Sequence, residues 1–292
     1  MNNETRNLGD LTGPLLVFGG AYSNFQALEA LQAVAWEYNI PPERVICTGD
    51  TVGYCAQPEE TVQGVKDWGI HAIAGNVELN LRNQADDCGC NFAEGGRCDL
   101  FSRQWYPFAQ EQLSSDSLTW IGQLPLQLRF QYAGQTVQVL HGSRFDVSEF
   151  VFGSTPWQVK AKSLDDAQAN VILAGHCGIP FADLQQDFAW LNAGVIGMPA
   201  NDGSPRVWYL LLDDRNGEFS YHFHALTYDH QEANRRMLEK PLPKSYAHTL
   251  LTGIWDNCEI LPEQETSQQG SRLLLDGQGG QLGHSRLTTP AS

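Results

Sequence analysis

Residues 44–54 read Arg-Val-Ile-Cys-Thr-Gly-Asp-Thr-Val-Gly-Tyr. Val45, Ile46 and Cys47 make a short apolar run that Gly49-Asp50 ends, which predicts a buried strand over Arg44 to Thr48 running into a tight corner that carries a carboxylate. Pro58 to Trp68 then carries apolar residues at helical spacing. The unit is strand, loop, helix, and it repeats on both sides. Upstream, Leu15 to Phe18 ends at Gly19-Gly20, and Asn24 to Tyr38 has helical spacing; downstream, the short strand His71 to Ala74 ends at Gly75-Asn76. This alternation predicts an α/β protein whose strands pair in parallel through crossover helices. Open sheets of that kind bind ligands just past the carboxyl ends of their strands. The polar residues at these corners are therefore expected to face one site.

The second half is strand-rich. After a Trp-containing helical stretch from Ser102 to Leu124 come Gln127 to Tyr132, a turn at Ala133-Gly134, and Thr136 to Leu140 leading into His141-Gly142. Val171 to Ala174 runs into Gly175-His176, and Ala189 to Asn192, Val207 to Leu212 and Phe219 to Leu226 follow as later strands. From about Leu261 onward Gln, Gly, Ser and Thr dominate. The organisation expected is a single domain over residues 1–260 and a flexible tail over 261–292.

The chain has 292 residues, 42% of them hydrophobic, enough for a substantial core. Its net charge of −16 would repel a nucleic-acid backbone. No run reaches the roughly 18 apolar residues that a membrane span needs. No nucleic acid, no membrane and a cytoplasmic location are the expectations, and nothing here specifies an oligomeric state. An acidic protein that takes a phosphorylated small molecule needs a local positive centre, for which a metal ion is the natural candidate. Seven cysteines without a secretory pattern suggest reduced thiols.

The corners hold Tyr22-Ser23-Asn24, Gly49-Asp50, Gly75-Asn76, His141-Gly142 and Gly175-His176. A carboxylate, an amide oxygen and two imidazoles form a mixed N/O set suited to Mn, Fe or Zn. Singly, each of these residues is ordinary turn or surface chemistry; the ordered set is what signals a site.

The order Gly49-Asp50-Thr51-Val52-Gly53-Tyr54, Gly75-Asn76-Val77-Glu78, His141-Gly142-Ser143 and Gly175-His176-Cys177-Gly178-Ile179-Pro180 resembles the calcineurin-like metallophosphoesterases. Leu191 to Pro199 and Asp202 to Tyr209 resemble the segments that follow in that family, so the likeness spans roughly Leu15 to Tyr228. The resemblance implies two mixed β-sheets packed as a sandwich and flanked by helices, with a dinuclear metal centre that hydrolyses phosphomonoesters or phosphodiesters. It also implies that Asp50, Asn76, His141 and His176 are the ligands of one metal ion and the catalytic residues, the ion activating a water.

The other metal of the family pattern is largely erased. Its opening Asp-x-His is Gly20-Ala21-Tyr22 here, the second His of the last motif is Gly178, and the His that often follows the Asn is Val77. One ion is therefore expected, with two as the alternative. Tyr22 either meets an oxyanion or packs into the vacated space; Tyr22, Asn24 and Arg144 are the candidate substrate contacts. Cys88, Cys90, Cys98 and Cys177 are candidates for an extra metal or redox role, with structural thiols as the simpler reading. Two functions remain open: a metal-dependent phosphoesterase, or a noncatalytic descendant that binds a metal or a phosphate ligand.

Overall fold

The computed structural model describes residues 5–282. Among these the strands are β1 (Thr5–Asp10), β2 (Leu15–Phe18), β3 (Val45–Cys47), β4 (His71–Ala72), β5 (Gln127–Tyr132), β6 (Gln135–Val139), β7 (Val171–Ala174), β8 (Phe181–Gln185), β9 (Phe188–Asn192), β10 (Val207–Asp213), β11 (Phe219–Leu226) and β12 (Gly279–Leu282). The helices are α1 (Phe25–Glu37), α2 (Pro58–Trp68), α3 (Asn76–Arg82), α4 (Arg97–Gln112), α5 (Ser115–Gly122), α6 (Trp157–Ala167), α7 (His230–Leu238), α8 (Lys244–Thr252) and α9 (Glu263–Ser267).

The strands make two six-stranded mixed sheets, β12-β11-β10-β2-β3-β4 and β1-β5-β6-β7-β9-β8. Pleating explains why their central strands read as unbroken apolar runs: alternate side chains leave on opposite faces, and here both faces are covered. Leu15 and Val17 point between the sheets, where they meet Phe130, Val139, Leu173 and Leu191 of the other sheet. Leu16 and Phe18 point outward into a cluster with Leu28 and Leu31 of α1 and Val62 and Val65 of α2. Across the other sheet, Ile172 and Trp190 pack on Leu164 of α6. The result is the helix-flanked sandwich expected above.

Local chemistry sets the helix ends that position the site. Asn24 caps α1 by accepting from the Ala27 N–H at 3.2 Å. Pro58 opens α2 and Gly69 closes it at φ 74°, the left-handed conformation that glycine tolerates best. The pairs β2–β3, β3–β4, β6–β7 and β7–β9 are all parallel, so their carboxyl ends emerge together. The Gly19 N–H donates to the Gly194 carbonyl at 2.9 Å and ties the end of β2 to the segment after β9.

Several elements lie outside the sequence expectations, the helices α3, α7 and α8 among them. β1 is polar and mostly exposed, and it joins the sheet through backbone pairing with β5. β8 forms a hairpin with β9, and α6 fills a stretch that carried no assigned pattern. The expected tail over 261–292 also differs: α9 and β12 lie within it, and β12 pairs antiparallel with β11. Its glycines are the reason. A Cβ on Gly279 would stand 1.9 Å from the Tyr221 carbonyl oxygen, so the low-complexity composition permits close strand pairing. Residues 283–292 lie outside the described residues. Among the described residues, no helix is long and apolar enough to cross a membrane.

Candidate metal centre

Asp50, Asn76, His141 and His176 come together although they belong to four separate corners. Asp50 follows β3 and His176 follows β7, with φ of 56° and 61° in the left-handed region that L residues adopt at a cost. Asn76 opens α3, and His141 follows β6. All four are buried.

His141 is the hub. Its Nδ1 lies 2.7 Å from the Thr48 carbonyl oxygen, which can only accept, so Nδ1 carries the proton and the neutral ring turns the Nε2 lone pair inward. Nε2 stands 3.1 Å from each of three atoms: Asp50 Oδ2, Asn76 Oδ1 and His176 Nδ1. The Asn76 amide is oriented by its own donors, which go to the Cys88 carbonyl at 2.9 Å and to Cys90 Sγ at 3.2 Å and leave Oδ1 facing the hub. The donor atoms of Asp50, His141 and His176 all lie within 4.8 Å of one another. Lone pairs converging in a buried space are stable only around a positive charge, a proton or a metal ion. The N/O donor set fits a first-row divalent ion, and the Thr48 contact is the kind that orients a ligating imidazole.

The electrostatics carry the same signature. Burial works against charging His141, but the Asp50 carboxylate and the Thr48 carbonyl outweigh it and raise its pKa above the ordinary 6.5. Burial, then the neighbouring His141, push His176 down to about 3. Phe150 stacks on the His176 ring at 4.1 Å between centroids. Glu78, whose carboxylate burial and Asp50 raise to about 7, accepts from the backbone N–H groups of Asp50, Val52 and Gly75 at 2.9–3.0 Å.

Where the family pattern has its other metal ligands, at Gly20 to Tyr22 and Gly178, aromatic rings pack instead. Tyr22 sits against three glycines: a Cβ would fall 2.3 Å from its ring at Gly20, 2.8 Å at Gly53, and 2.4 Å from its own Cβ at Gly197. The Trp255 ring covers Gly178, with Cη2 3.7 Å from where a Cβ would be. Burial raises the Tyr22 hydroxyl well above its ordinary pKa, which keeps it protonated.

Two expected substrate contacts have other partners. Asn24 uses its amide on Ala27 and on the Gly197 carbonyl at 3.1 Å, and Arg144 is held by Asp166 and by Gln127, each at 2.8 Å. A cleft beside the site is lined by Tyr22, Asp50 and His176, but by neither of these. The four candidate cysteines divide into two kinds. Cys88 and Cys90 are joined by a disulfide, while Cys98 and Cys177 are buried free thiols. Among the described residues no cysteine belongs to a group positioned to hold a metal. Cys98 donates to Asn257 and Cys177 to the Ile179 carbonyl, and burial pushes the Cys177 thiol up to about 12.

Sequence reasoning left Glu78, Phe150, Asn192 and Trp255 without a role. Glu78 stands three residues after Gly75, the spacing at which an acid reaches back to the first N–H groups of a helix. Asn192 donates to the Gly175 carbonyl at 2.7 Å and to Cys177 Sγ, holding the loop of His176. Phe150 and Trp255 arrive from distant segments and left no local signal.

Residues 24–216 match the calcineurin-like phosphoesterase superfamily domain, and the chain belongs to that family. A relative from Methanocaldococcus jannaschii, the uncharacterized protein MJ0912, is 22% identical over 82% of this chain and 98% of its own length. Two solved structures share the fold. The hypothetical protein PH1004 from Pyrococcus horikoshii has a TM-score of 0.70 at 16% identity, covering 83% of this chain and 99% of that one. A metallophosphoesterase from Sphaerobacter thermophilus has a TM-score of 0.63 at 20% identity, covering 84% and 100%.

Proposed function

We propose that the protein is a phosphoesterase that works with one divalent metal ion, Mn, Fe or Zn, held by Asp50, Asn76, His141 and His176. The observation that carries this reading is the convergence of Asp50 Oδ2, Asn76 Oδ1 and His176 Nδ1 on His141 Nε2, each at 3.1 Å. When bound, the ion polarises a phosphoryl oxygen and lowers the pKa of water. Asp50 supplies the one formal negative charge among the four ligands, and Asn76 supplies a neutral oxygen. The Thr48 and Cys88 carbonyls hold His141 and Asn76 in the ligating orientation. Tyr22, kept protonated by burial, donates a hydrogen bond to a phosphoryl oxygen from the side where the family pattern has its other metal. A small phosphorylated molecule is the ligand class.

A second reading has support of its own. Tyr22 and Trp255 close the first-metal region, an arrangement that also suits a noncatalytic module binding a phosphate ligand at one ion. Metal content and hydrolysis measured on the same preparations separate the two. The phosphoesterase reading expects one ion per chain, turnover abolished by chelation and restored by metal, and loss of both ion and turnover in His141→Ala. One retained ion with no turnover of any phosphomonoester or phosphodiester would establish the binding module instead.

A further inference from the structure

The cleft that opens beside Asp50 and His176 is lined largely by aromatic and apolar side chains. Tyr54, Phe92, Phe150, Tyr246 and Trp255 contribute rings, and the carboxylates on its wall are Asp50 and Asp256. No lysine or arginine lines it. Arg97, the cation bound to Asp256, is a surface residue spent on that pair. Resting on the metal-site reading above, we propose that this cleft takes a singly charged phosphodiester bearing one planar aromatic group, in preference to a doubly charged phosphomonoester.

The charge balance comes first. One divalent ion and the Asp50 carboxylate leave at most a single positive charge to face the phosphoryl group, since the Glu78 carboxylate behind Asp50 can only reduce it. A monoester near neutral pH carries about −1.5 to −2 and would put its excess charge against Asp50 with no basic side chain to offset it. A diester carries one negative charge and is matched. The cleft encloses about 730 Å³ with its open mouth included. Walls built largely of aromatic rings suit a flat ring better than a branched aliphatic group.

The rings are held in advance of any ligand. Trp255 donates from Nε1 to the Pro199 carbonyl at 2.7 Å and from its backbone N–H to Asn201 at 2.8 Å. Tyr54 stands edge-on to Tyr22 at 4.7 Å and to Tyr246 at 4.9 Å between centroids. Tyr54 also meets Trp105 at 5.0 Å and Tyr246 meets Phe101 at 4.9 Å, so both rings are fixed in place. Tyr246 and Trp255 lie beyond residues 24–216, so part of the wall is built outside the segment that matches the family, while Tyr54, Phe92 and Phe150 lie within it.

The test uses the full chain loaded with Mn(II) and reads equilibrium binding by calorimetry, with three matched probes. Methyl phenyl phosphate has one charge and one ring, phenyl phosphate has the same ring and a second charge, and dimethyl phosphate has one charge and no ring. The expected result is that methyl phenyl phosphate binds at least tenfold more tightly than either of the others. Trp255→Ala and Phe92→Ala, on separate segments of the wall, are each expected to weaken it at least fivefold with metal content unchanged. Equal or tighter binding of phenyl phosphate, equal binding of dimethyl phosphate, indifference to both substitutions, or no binding of any probe would each overturn the proposal. Because the readout is binding, absence of turnover overturns the hydrolytic reading alone. Turnover of other esters without binding of methyl phenyl phosphate overturns this inference alone.

Discussion

The carboxylate of Glu78 is folded back onto the backbone of Asp50, accepting its N–H at 2.9 Å while also accepting from Gly75 and Val52. Asp50 sits at φ 56°, and this clasp is what holds its carboxylate toward His141. Glu78 touches none of the other candidate ligands through a hydrogen bond, so it acts on the metal centre by fixing where Asp50 stands.

Glu78→Gln therefore makes a sharp test. The amide keeps one acceptor oxygen but turns an NH₂ toward backbone donors, leaving at least one buried N–H unpaired at about 1–3 kcal/mol. Urea unfolding should report a loss of that size, and metal affinity should fall about 10-fold or more, as for other residues that orient ligands. Unchanged affinity would mean that Asp50 is positioned by other contacts.

Metal binding should strengthen as pH rises. The raised pKa of His141 means that a proton competes with the ion, so affinity should gain up to about tenfold per pH unit until the raised pKa is passed, then level off. The sign reverses for the metal-free protein. With its folded value above the ordinary 6.5, His141 contributes stability fully below the unfolded value, and that contribution is lost as pH rises through the folded one. Titrations of Mn(II) or Zn(II) from about pH 5.5 to 8.5, beside melting curves without metal, check both signs. A flat affinity profile would refute the proton competition.

Tyr22→Ala removes a ring packed against Gly20, Gly53 and Gly197 and should cost about 3–5 kcal/mol, the range for truncating a buried aromatic. It should not admit a second ion, since Gly20 and Gly178 offer no ligand. Elemental analysis of the variant should still find at most one metal per chain. Two ions would show that ligands for a second site exist elsewhere.

Truncation after residue 260 tests the C-terminal segment. The cut removes β12 and the bonds from Gly270 to Asn201 and from Leu273 to Asp202. A loss of about 2–3 kcal/mol is expected, which lowers Tm by roughly 3–5 °C in a chain of this size. An unchanged Tm would restore the flexible-tail expectation for that segment.

How much of this was legible beforehand depended on whether the information was local. The corner Gly49-Asp50 and its counterparts carried apolar runs, turn residues and polar tips within a few positions, so the strands and the convergence of Asp50, Asn76, His141 and His176 could be read directly. β1 escaped because a polar edge strand has no alternation to detect. Asn24 and Arg144 show that sequence gives neighbourhood but not direction: one turns inward to cap α1, and the other turns to Asp166. The cover over Gly178 was invisible for a different reason. Trp255 comes from 77 residues further along the chain, and nothing short-range predicts that meeting.

Asp50 and His176 both occupy left-handed backbone, where glycine would relieve strain on the order of 1 kcal/mol per position. Substitution by glycine at either corner would relieve that strain while erasing a candidate ligand, whereas most other side chains tolerate this backbone less well than Asp or His. Each of these two candidate ligands thus stands on backbone that glycine would relax, a cost the fold bears at the very corners where the carboxylate and the imidazole meet.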